Sequence, residues 1–388
     1  MDKKIQNFIN QNLHYTAVDV ILQSSKYPQW DMKFIAQQLT GKQIARKKLP
    51  TWFENDCILF PVRLPLEQCS SELTANYKSA LVSKGTGIDL TGGFGVDVFA
   101  FSKNSLKVLY CERDLKLANM VQSNLKVLKA FNVDVFIGDG IDCLKRQNKL
   151  DWIFVDPARR KEGARVYRLE DCEPNVIELQ DLLFLKANRI IIKTAPLLDI
   201  QQTIKDLSFV KEVHVVSVNN DCKEVLYVLE KNFKGEVQII GCNIKKLRNE
   251  NFSFTYEEER NTLTKYAKPL NYLYEPNASI MKAGGFKSVA DKFNIFKLHK
   301  HSHLYTSKKL LDNFPGRCFK INSVLIADKK TVVKNKASKA NFACRNFPQK
   351  IDILKKKLSI VDGGELYIFA TTLSDDEPRL ILCEKIEL

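Results

Sequence analysis

The most regular pattern in this 388-residue chain is a series of short apolar segments between residues 86 and 229. In the stretches that separate the first five segments, apolar residues recur at helical spacing. The last two are joined by the polar link Asn219–Cys222, which is too short for a helical crossover and therefore predicts an antiparallel pair. We expect an α/β fold with a parallel sheet between helices. The predicted strands are Thr86–Leu90, Lys107–Cys111, Val133–Ile137, Trp152–Val155, Arg189–Lys193, Glu212–Val218 and Glu224–Leu229.

The regions on either side of this alternation have a different pattern. Residues 1–75 carry apolar residues at helical spacing and predict an N-terminal helical segment, interrupted at Pro50. Residues 76–235 form the predicted α/β domain. Residues 236–274 are expected to connect it, through one strand and a polar stretch, to a C-terminal α+β region of short strands and helices.

Composition limits the kind of protein without naming its function. Hydrophobic residues make up 45% and charged residues 27% of the chain, an ordinary globular mixture. The ten cysteines form no CxxC pair, which argues against a zinc or iron–sulfur site. Neither a signal peptide nor a membrane-spanning run is apparent, so we expect a reduced, cytoplasmic protein with no membrane partner. The alternating His299, His301 and His303 lack nearby acids or cysteines, and no metal is expected.

Positive charge is concentrated near the end of the chain. The formal net charge is +15, and residues 300–360 contain fifteen Lys/Arg against three Asp/Glu, a difference of 15 − 3 = +12. A local basic block is typical of nucleic-acid binding. The alternative is a solvated lysine-rich surface.

The strongest chemical signal is the run Gly87–Asp97, which predicts a strand end, a glycine-rich turn and a helix start. Glycines let a backbone pass close to a ligand. Acids then follow four successive predicted strands, namely Asp89, Glu112, Asp139 and Asp156. Ligands of such sheets bind beyond the carboxyl ends of the strands. Glu112 is placed to bind both ribose hydroxyls, as it would in an NAD site. Asp139, positioned for an adenine amine, and Asp156, at the cleft mouth, favour S-adenosylmethionine over NAD.

These motifs resemble those of class I S-adenosylmethionine-dependent methyltransferases. Residues 67–72, 156–160 and 274–278 are similar to a bacterial group of these enzymes with a C-terminal THUMP-like domain, and the similarity covers nearly the whole chain. The resemblance implies a Rossmann-like seven-stranded methyltransferase sheet, a ferredoxin-like segment over residues 275–319 and a THUMP-like basic RNA-binding module over residues 320–388. The cofactor-binding residues predicted in this way are Asp89, Thr91, Gly92, Gly93, Gly95, Glu112, Asp139 and Asp156, with Asp89 and the glycines at the methionine end.

Two classes of methyl acceptor remain open. Methyltransferases that act on exocyclic amines carry Asp/Asn-Pro-Pro and an aromatic residue after strand four, but here Ala158 and Arg159 follow Asp156-Pro157. Asp156, Lys193 and Glu224 instead resemble part of the Lys-Asp-Lys-Glu set of ribose 2′-O-methyltransferases, in which a lysine deprotonates or orients the hydroxyl. The alternative is that Lys193 and Glu224 form a structural pair.

RNA contacts are expected from the basic loop after Asp156 and from the C-terminal module. Arginines beside a glycine and an aromatic residue suit contact with a phosphate backbone and a base, although they could instead pair with the nearby acids. The predicted substrate-binding residues are Arg159, Arg160, Arg165, Lys334, Lys336, Lys339 and Arg345. The predicted function is methylation of structured RNA such as rRNA or tRNA. The alternatives are an inactive RNA-binding protein with the same fold and a methyltransferase acting on DNA or a small molecule.

Overall fold

A computed structural model describes residues 1–159, 168–246 and 248–387, with only the backbone of Arg159. The chain divides into two compact units. The first contains Met1–Lys211 and Val225–Gly235, and the second contains Glu212–Glu224 and the chain from Glu236 onward.

The N-terminal segment of the first unit is helical, as its apolar spacing predicts. Asp31 caps the long helix α3 by accepting hydrogen bonds from the backbone N–H groups of Lys33 and Phe34, each at 3.0 Å. Pro50 separates two helices, because α3 ends at Lys48 and the proline itself begins the next helix. The helices are α1 (Lys3–Gln11), α2 (Ala17–Ile21), α3 (Met32–Lys48), α4 (Pro50–Phe53), α5 (Arg63–Gln68) and α6 (Glu72–Ser79).

The predicted alternation of strands and helices follows. Its elements are β1 (Thr86–Asp89), α7 (Val96–Ser102), β2 (Lys107–Glu112), α8 (Leu115–Val127), β3 (Val133–Ile137), α9 (Gly140–Arg146), β4 (Leu150–Val155), β5 (Ala158–Arg159), β6 (Cys172–Glu173), α10 (Gln180–Lys186), β7 (Ala187–Thr194), α11 (Ile200–Asp206), β8 (Val210–Val218) and β9 (Asp221–Glu230). In the first unit the strand order is β9-β7-β4-β1-β2-β3. All neighbours in it are parallel except β7 and β9, which confirms the predicted parallel sheet and the reversed direction of the last strand.

A two-stranded ribbon was not predicted. Strand β5 directly follows Asp156-Pro157 and pairs antiparallel with β6, Ala158 with Glu173 and Arg159 with Cys172. The ribbon therefore begins at the carboxyl end of β4, the edge at which the candidate site was expected.

One apolar core joins the N-terminal helices to the sheet. Trp52 contacts Phe94 and Phe99 with ring centroids 4.8 Å and 5.9 Å apart, and Trp152 of β4 belongs to the same buried cluster. The N-terminal segment is therefore packed against the glycine-rich turn and α7.

The second unit contains the remaining elements. Strand β8 pairs parallel with β10, which pairs antiparallel with β11. A seven-stranded sheet follows, with the order β13-β14-β12-β15-β18-β17-β16. The elements are β10 (Gln238–Ile244), β11 (Glu250–Thr255), α12 (Tyr256–Asn261), β12 (Tyr272–Pro276), α13 (Ala278–Ala283), α14 (Phe286–Lys292), β13 (Phe296–Lys297), β14 (Tyr305–Ser307), β15 (Gly316–Leu325), α15 (Lys329–Lys334), β16 (Asn341–Arg345), α16 (Ile351–Leu358), β17 (Leu366–Thr372) and β18 (Pro378–Ile386). None of the helices in the described residues has the length and apolarity that a membrane span requires.

Candidate active site

The glycine-rich turn between β1 and α7 is held in a fixed shape by strand β2. Gly92 N–H donates to Cys111 O at 2.8 Å, and Tyr110 Oη donates to Gly93 O at 2.6 Å. A Cβ at Gly92 would lie 2.1 Å from the Tyr110 ring, and Gly95 has a φ of +79°. Both positions therefore require glycine, and the turn presents backbone rather than side chains to its surroundings.

Glu112, at the end of β2, is oriented by backbone donors on both sides. Its Oε2 accepts from Gly93 N–H and its Oε1 from Asp114 N–H, both at 2.9 Å. A carboxylate has about four lone-pair sites, so two remain for a ligand. This arrangement can receive the paired hydroxyls of a ribose.

Asp139, after β3, is engaged by a helix and by an arginine. Its Oδ1 caps α9 through Ile141 N–H at 2.7 Å, and its Oδ2 pairs with Arg113. Burial alone would raise the pKa of Asp139, but the hydrogen bonds from Arg113 and from the start of α9 outweigh it and hold the pKa below the usual value. Arg113 also donates to Glu173 Oε1 at 2.7 Å, which ties the β5–β6 ribbon to this part of the site.

Asp156, after β4, is paired with Lys193 at the end of β7. Its backbone N–H donates to Thr91 Oγ1 at 2.8 Å, which links the end of β4 to the glycine-rich turn. The Lys193 side chain is 15% exposed and that of Asp156 is 34% exposed. The carboxylate is thus the more accessible member of the pair.

Asp89, at the end of β1, is completely enclosed. It is 1% exposed and accepts a hydrogen bond from Thr91 N–H at 2.9 Å. Burial, followed by the nearby charges of Asp97 and Asp156, raises the pKa of Asp89 to about 8.

These strand ends surround one cavity of about 370 Å³, within the usual size range of small-molecule sites. Seven of the eight predicted cofactor residues line it: Thr91, Gly92, Gly93, Gly95, Glu112, Asp139 and Asp156. Asp89 does not line it and contacts the turn through the backbone N–H of Thr91. The predicted catalytic residue Lys193 also lies outside the lining and contacts Asp156, which is part of it.

The cavity also has polar lining residues that the sequence reasoning missed. They are Gln68 and Ser70 from the N-terminal segment, Asp97 from α7, Arg113 after β2 and Glu173 from β6. Only the similarity of residues 67–72 to the methyltransferase group marked Gln68 and Ser70 in the sequence. Asp97 closes the glycine-rich run and could have been recognised there.

Of the other predicted residues that the structure describes, Glu224 does not line this cavity. Glu224 is buried in β9, in the part of the strand that belongs to the second unit. The side chain of Arg159, and Arg160 and Arg165 altogether, lie outside the described residues.

The C-terminal residues predicted to bind RNA have two different environments. The three lysines predicted to bind RNA, Lys334, Lys336 and Lys339, are all exposed. Arg345 instead forms an ion pair with buried Glu275, at 2.7 Å between Nη2 and Oε1, and donates from Nη1 to Cys344 O. The Arg345 guanidinium is therefore bound by other residues of the second unit.

The three alternating histidines likewise have intramolecular contacts. His299 Nε2 lies 3.1 Å from Asp376 Oδ1, and His301 N–H donates to His299 Nδ1. His303 stacks on Phe286 with ring centroids 3.6 Å apart. Across the described residues, no three His, Cys, Asp or Glu side chains are grouped as metal ligands.

Comparison with known proteins places this geometry in a family. Residues 272–315 match a family model described as a ferredoxin-like domain, and residues 316–385 match one described as THUMP domain-like. The crystal structure of a "putative methyltransferase" from Porphyromonas gingivalis W83 matches over 100% of both chains, with 32% sequence identity and a TM-score of 0.88.

More distant relatives match over a shorter part of the chain. Uncharacterised S-adenosylmethionine-dependent methyltransferases from two Mycobacterium tuberculosis strains, CDC 1551 and H37Rv, are 23% identical over 159 residues. That alignment covers 41% of this chain and 42% of each relative, so the chain matches less than half the length of these curated proteins.

The sheet and the acids at its strand ends define a class I S-adenosylmethionine-dependent methyltransferase. At 32% identity over its full length, the chain belongs to the same family as the P. gingivalis protein. This is the bacterial group of these methyltransferases that carries a C-terminal THUMP-like domain.

The cavity residues suit S-adenosylmethionine as the family's cofactor. Glu112 retains acceptor capacity that would suit the ribose hydroxyls. The assignment of the adenine amine to Asp139, which lines the same cavity, stays a prediction. At Gly93 the nearest atom to an added Cβ would be Thr91 O at 3.9 Å, so this part of the turn leaves room for close backbone contact with a ligand.

Proposed function

We propose that the protein methylates structured RNA, with Asp156 facing the acceptor. The observation that supports this proposal most directly is the cavity itself, whose wall carries the acids Glu112 and Asp139 together with Asp156. Bound S-adenosylmethionine supplies an electrophilic methyl group. Asp156, held by Lys193 and by Thr91, would orient the acceptor atom toward that group.

The C-terminal unit supports RNA as the substrate class. Its residues 316–385 match a THUMP-like family, and the basic excess of residues 300–360 lies largely within that range. The exposed lysines Lys334, Lys336 and Lys339 are available for phosphate contacts. We propose rRNA or tRNA as the form of RNA, because both offer structured regions to a basic module.

The acceptor would be either a ribose 2′-hydroxyl or a base amine, and the two differ in what Lys193 does. For a hydroxyl, Lys193 would help to orient or deprotonate the acceptor, so its removal should cost a large part of the rate. For an amine, Asp156 would accept a hydrogen bond from the acceptor, and Lys193 would only position Asp156. The ion pair of these two side chains is compatible with both roles.

Mass spectrometry of nucleosides tests the proposal. RNA from cells that lack the gene is incubated with the purified protein and S-adenosylmethionine, and fragmentation shows whether a new methyl group lies on ribose or on a base. Asp156→Ala should abolish transfer while retaining cofactor binding. Lys193→Ala should lower the rate by about 10²–10⁴-fold for a hydroxyl and much less for an amine. Unchanged nucleosides with every RNA fraction would contradict the proposal.

Calorimetry with S-adenosylhomocysteine separates this function from that of an inactive RNA-binding protein. The proposal requires binding, and an inactive protein that keeps the fold predicts none. A DNA or small-molecule methyltransferase would bind the cofactor but leave RNA unmodified.

No disulfide occurs among the described residues, which supports our proposal of a reducing, cytoplasmic location.

A further inference from the structure

We propose that Asp97, held in place by Ser70 and Lys78, binds the ammonium group at the methionine end of S-adenosylmethionine. The N-terminal helical segment would thereby complete the cofactor site. This inference rests on the use of that cofactor.

The three side chains form a directional hydrogen-bonded chain. Lys78 Nζ donates to Ser70 Oγ at 2.8 Å, and Ser70 Oγ donates to Asp97 Oδ2 at 2.8 Å. Lys78 Nζ also lies 3.1 Å from Asp97 Oδ1. The Lys78 side chain is completely buried and that of Asp97 is 13% exposed. A charged pair with this burial is stable only when its members satisfy one another.

The geometry leaves part of the Asp97 carboxylate available to a ligand. Oδ1 is buried and is turned toward Lys78, so the accessible part of the side chain must lie elsewhere. Oδ2 accepts one hydrogen bond, from Ser70, and a carboxylate oxygen has two lone pairs. Both Asp97 and Ser70 line the cavity, whereas Lys78 is behind them.

The other cavity carboxylates are already committed to different parts of the cofactor or the acceptor. Glu112 and Asp139 suit the ribose and the adenine, and Asp156 is paired with Lys193 near the acceptor. Glu173 pairs with Arg113, the arginine that also holds Asp139. Among the described residues, Asp97 is therefore the lining carboxylate that remains for the amino-acid end of the cofactor.

Asp89, assigned to the methionine end by resemblance, is less suited to this role. It does not line the cavity, and it is 1% exposed. Burial raises its pKa to about 8, so it carries little of the negative charge that an ammonium group requires at neutral pH. Its contacts with Thr91 indicate a structural role in the turn.

The test compares two ligands that differ in the amino-acid end alone. S-adenosylhomocysteine carries the ammonium group, whereas 5′-methylthioadenosine keeps the same nucleoside without it. Affinities are measured by calorimetry with the full-length protein and with Asp97→Asn, which still accepts the Ser70 hydrogen bond. We expect Asp97→Asn to weaken the binding of S-adenosylhomocysteine by about tenfold or more, because a charge-assisted hydrogen bond is lost. Its affinity for 5′-methylthioadenosine should stay within about twofold.

Two further variants keep the test independent of folding. Asp97→Asn leaves Lys78 buried beside a neutral group, so the double variant Lys78→Met/Asp97→Asn removes both charges and should show the same selective loss. Ser70→Ala removes only the bridging hydroxyl and should cause a smaller selective loss of affinity for S-adenosylhomocysteine. If the Asp97 variants unfold, this variant still tests the proposal. Glu112→Gln is the matched control. Both ligands carry the ribose, so the loss of a ribose contact should weaken the binding of both by the same factor.

The outcomes separate this inference from the proposed function. Selective loss of S-adenosylhomocysteine binding supports Asp97 as the ammonium receptor. Equal loss of both ligands, or no loss of either, would overturn that role while leaving the cofactor in place. If the wild-type protein bound neither ligand, the cofactor use itself would fail.

Discussion

At the scale of single residues, Asp89 makes the stability of the protein depend on pH. Its folded-state pKa of about 8 lies above the ordinary value of 3.8, so the folded protein keeps a proton between these values that the unfolded chain releases. The resulting stabilisation is complete below about pH 4 and is lost as pH rises to about 8. Asp89→Asn retains the contact with Thr91 and removes the titration.

We therefore compare the unfolding free energies of the wild-type protein and of Asp89→Asn. The wild-type value minus the variant value should fall by about 1.4 kcal/mol per pH unit between pH 5 and 7. Urea unfolding at several pH values measures it. Asp181→Asn, at an exposed position, is the control and should give a flat difference. Parallel profiles for wild type and Asp89→Asn would show that Asp89 is ionised in the folded protein.

The same residue shows what the sequence could and could not predict about the site. An acid at a strand end is visible in the sequence, and for Glu112, Asp139 and Asp156 this was sufficient to place them on the cavity wall. The direction of the Asp89 side chain depends on local turn geometry, which no spacing records. The surroundings of Asp97 depend on Ser70, which lies 27 positions earlier in the chain.

At the scale of elements, Arg113 joins the β5–β6 ribbon to the end of β3 through Glu173 and Asp139. Arg113→Leu should release the ribbon locally and raise amide hydrogen exchange at residues 172–173. Global stability should change by no more than about 1 kcal/mol, because the ion pairs are largely exposed. Hydrogen exchange and urea unfolding test the two parts. Arg168→Leu, which removes an exposed ion pair with Glu170, is the control. Equal amide protection at residues 172–173 in both variants would contradict the stabilisation of the ribbon by Arg113.

The elements that the sequence predicted are those whose pattern repeats over several residues. Strands β2, β3 and β4 and the helices between them were found because apolar positions recur at a regular spacing. The β5–β6 ribbon was missed because each of its strands has only two residues, too few for any periodicity. Helix α4 was missed because Pro50 was interpreted only as a stop, although proline is also favoured at the first position of a helix.

At the scale of the whole molecule, the proposed binding of RNA by the positively charged THUMP-like part of the chain should depend on salt concentration. Each phosphate contact releases counterions, so the logarithm of the binding constant falls with the logarithm of the salt concentration, by about 0.7–0.9 per contact. The triple variant of Lys334, Lys336 and Lys339 to Gln removes three exposed charges. It should weaken RNA binding at every sequence tested and reduce the salt slope by about 2–3.

The matched control removes the same charge from the N-terminal helical segment, with Lys26, Lys33 and Lys47, which are also exposed, changed to Gln. Titrations of a fluorescent RNA at several salt concentrations compare the two variants. If net charge alone attracts RNA, both variants should lose the same slope. A loss confined to the C-terminal variant shows that the three lysines contact phosphate, and equal losses would contradict the assignment of RNA binding to this module.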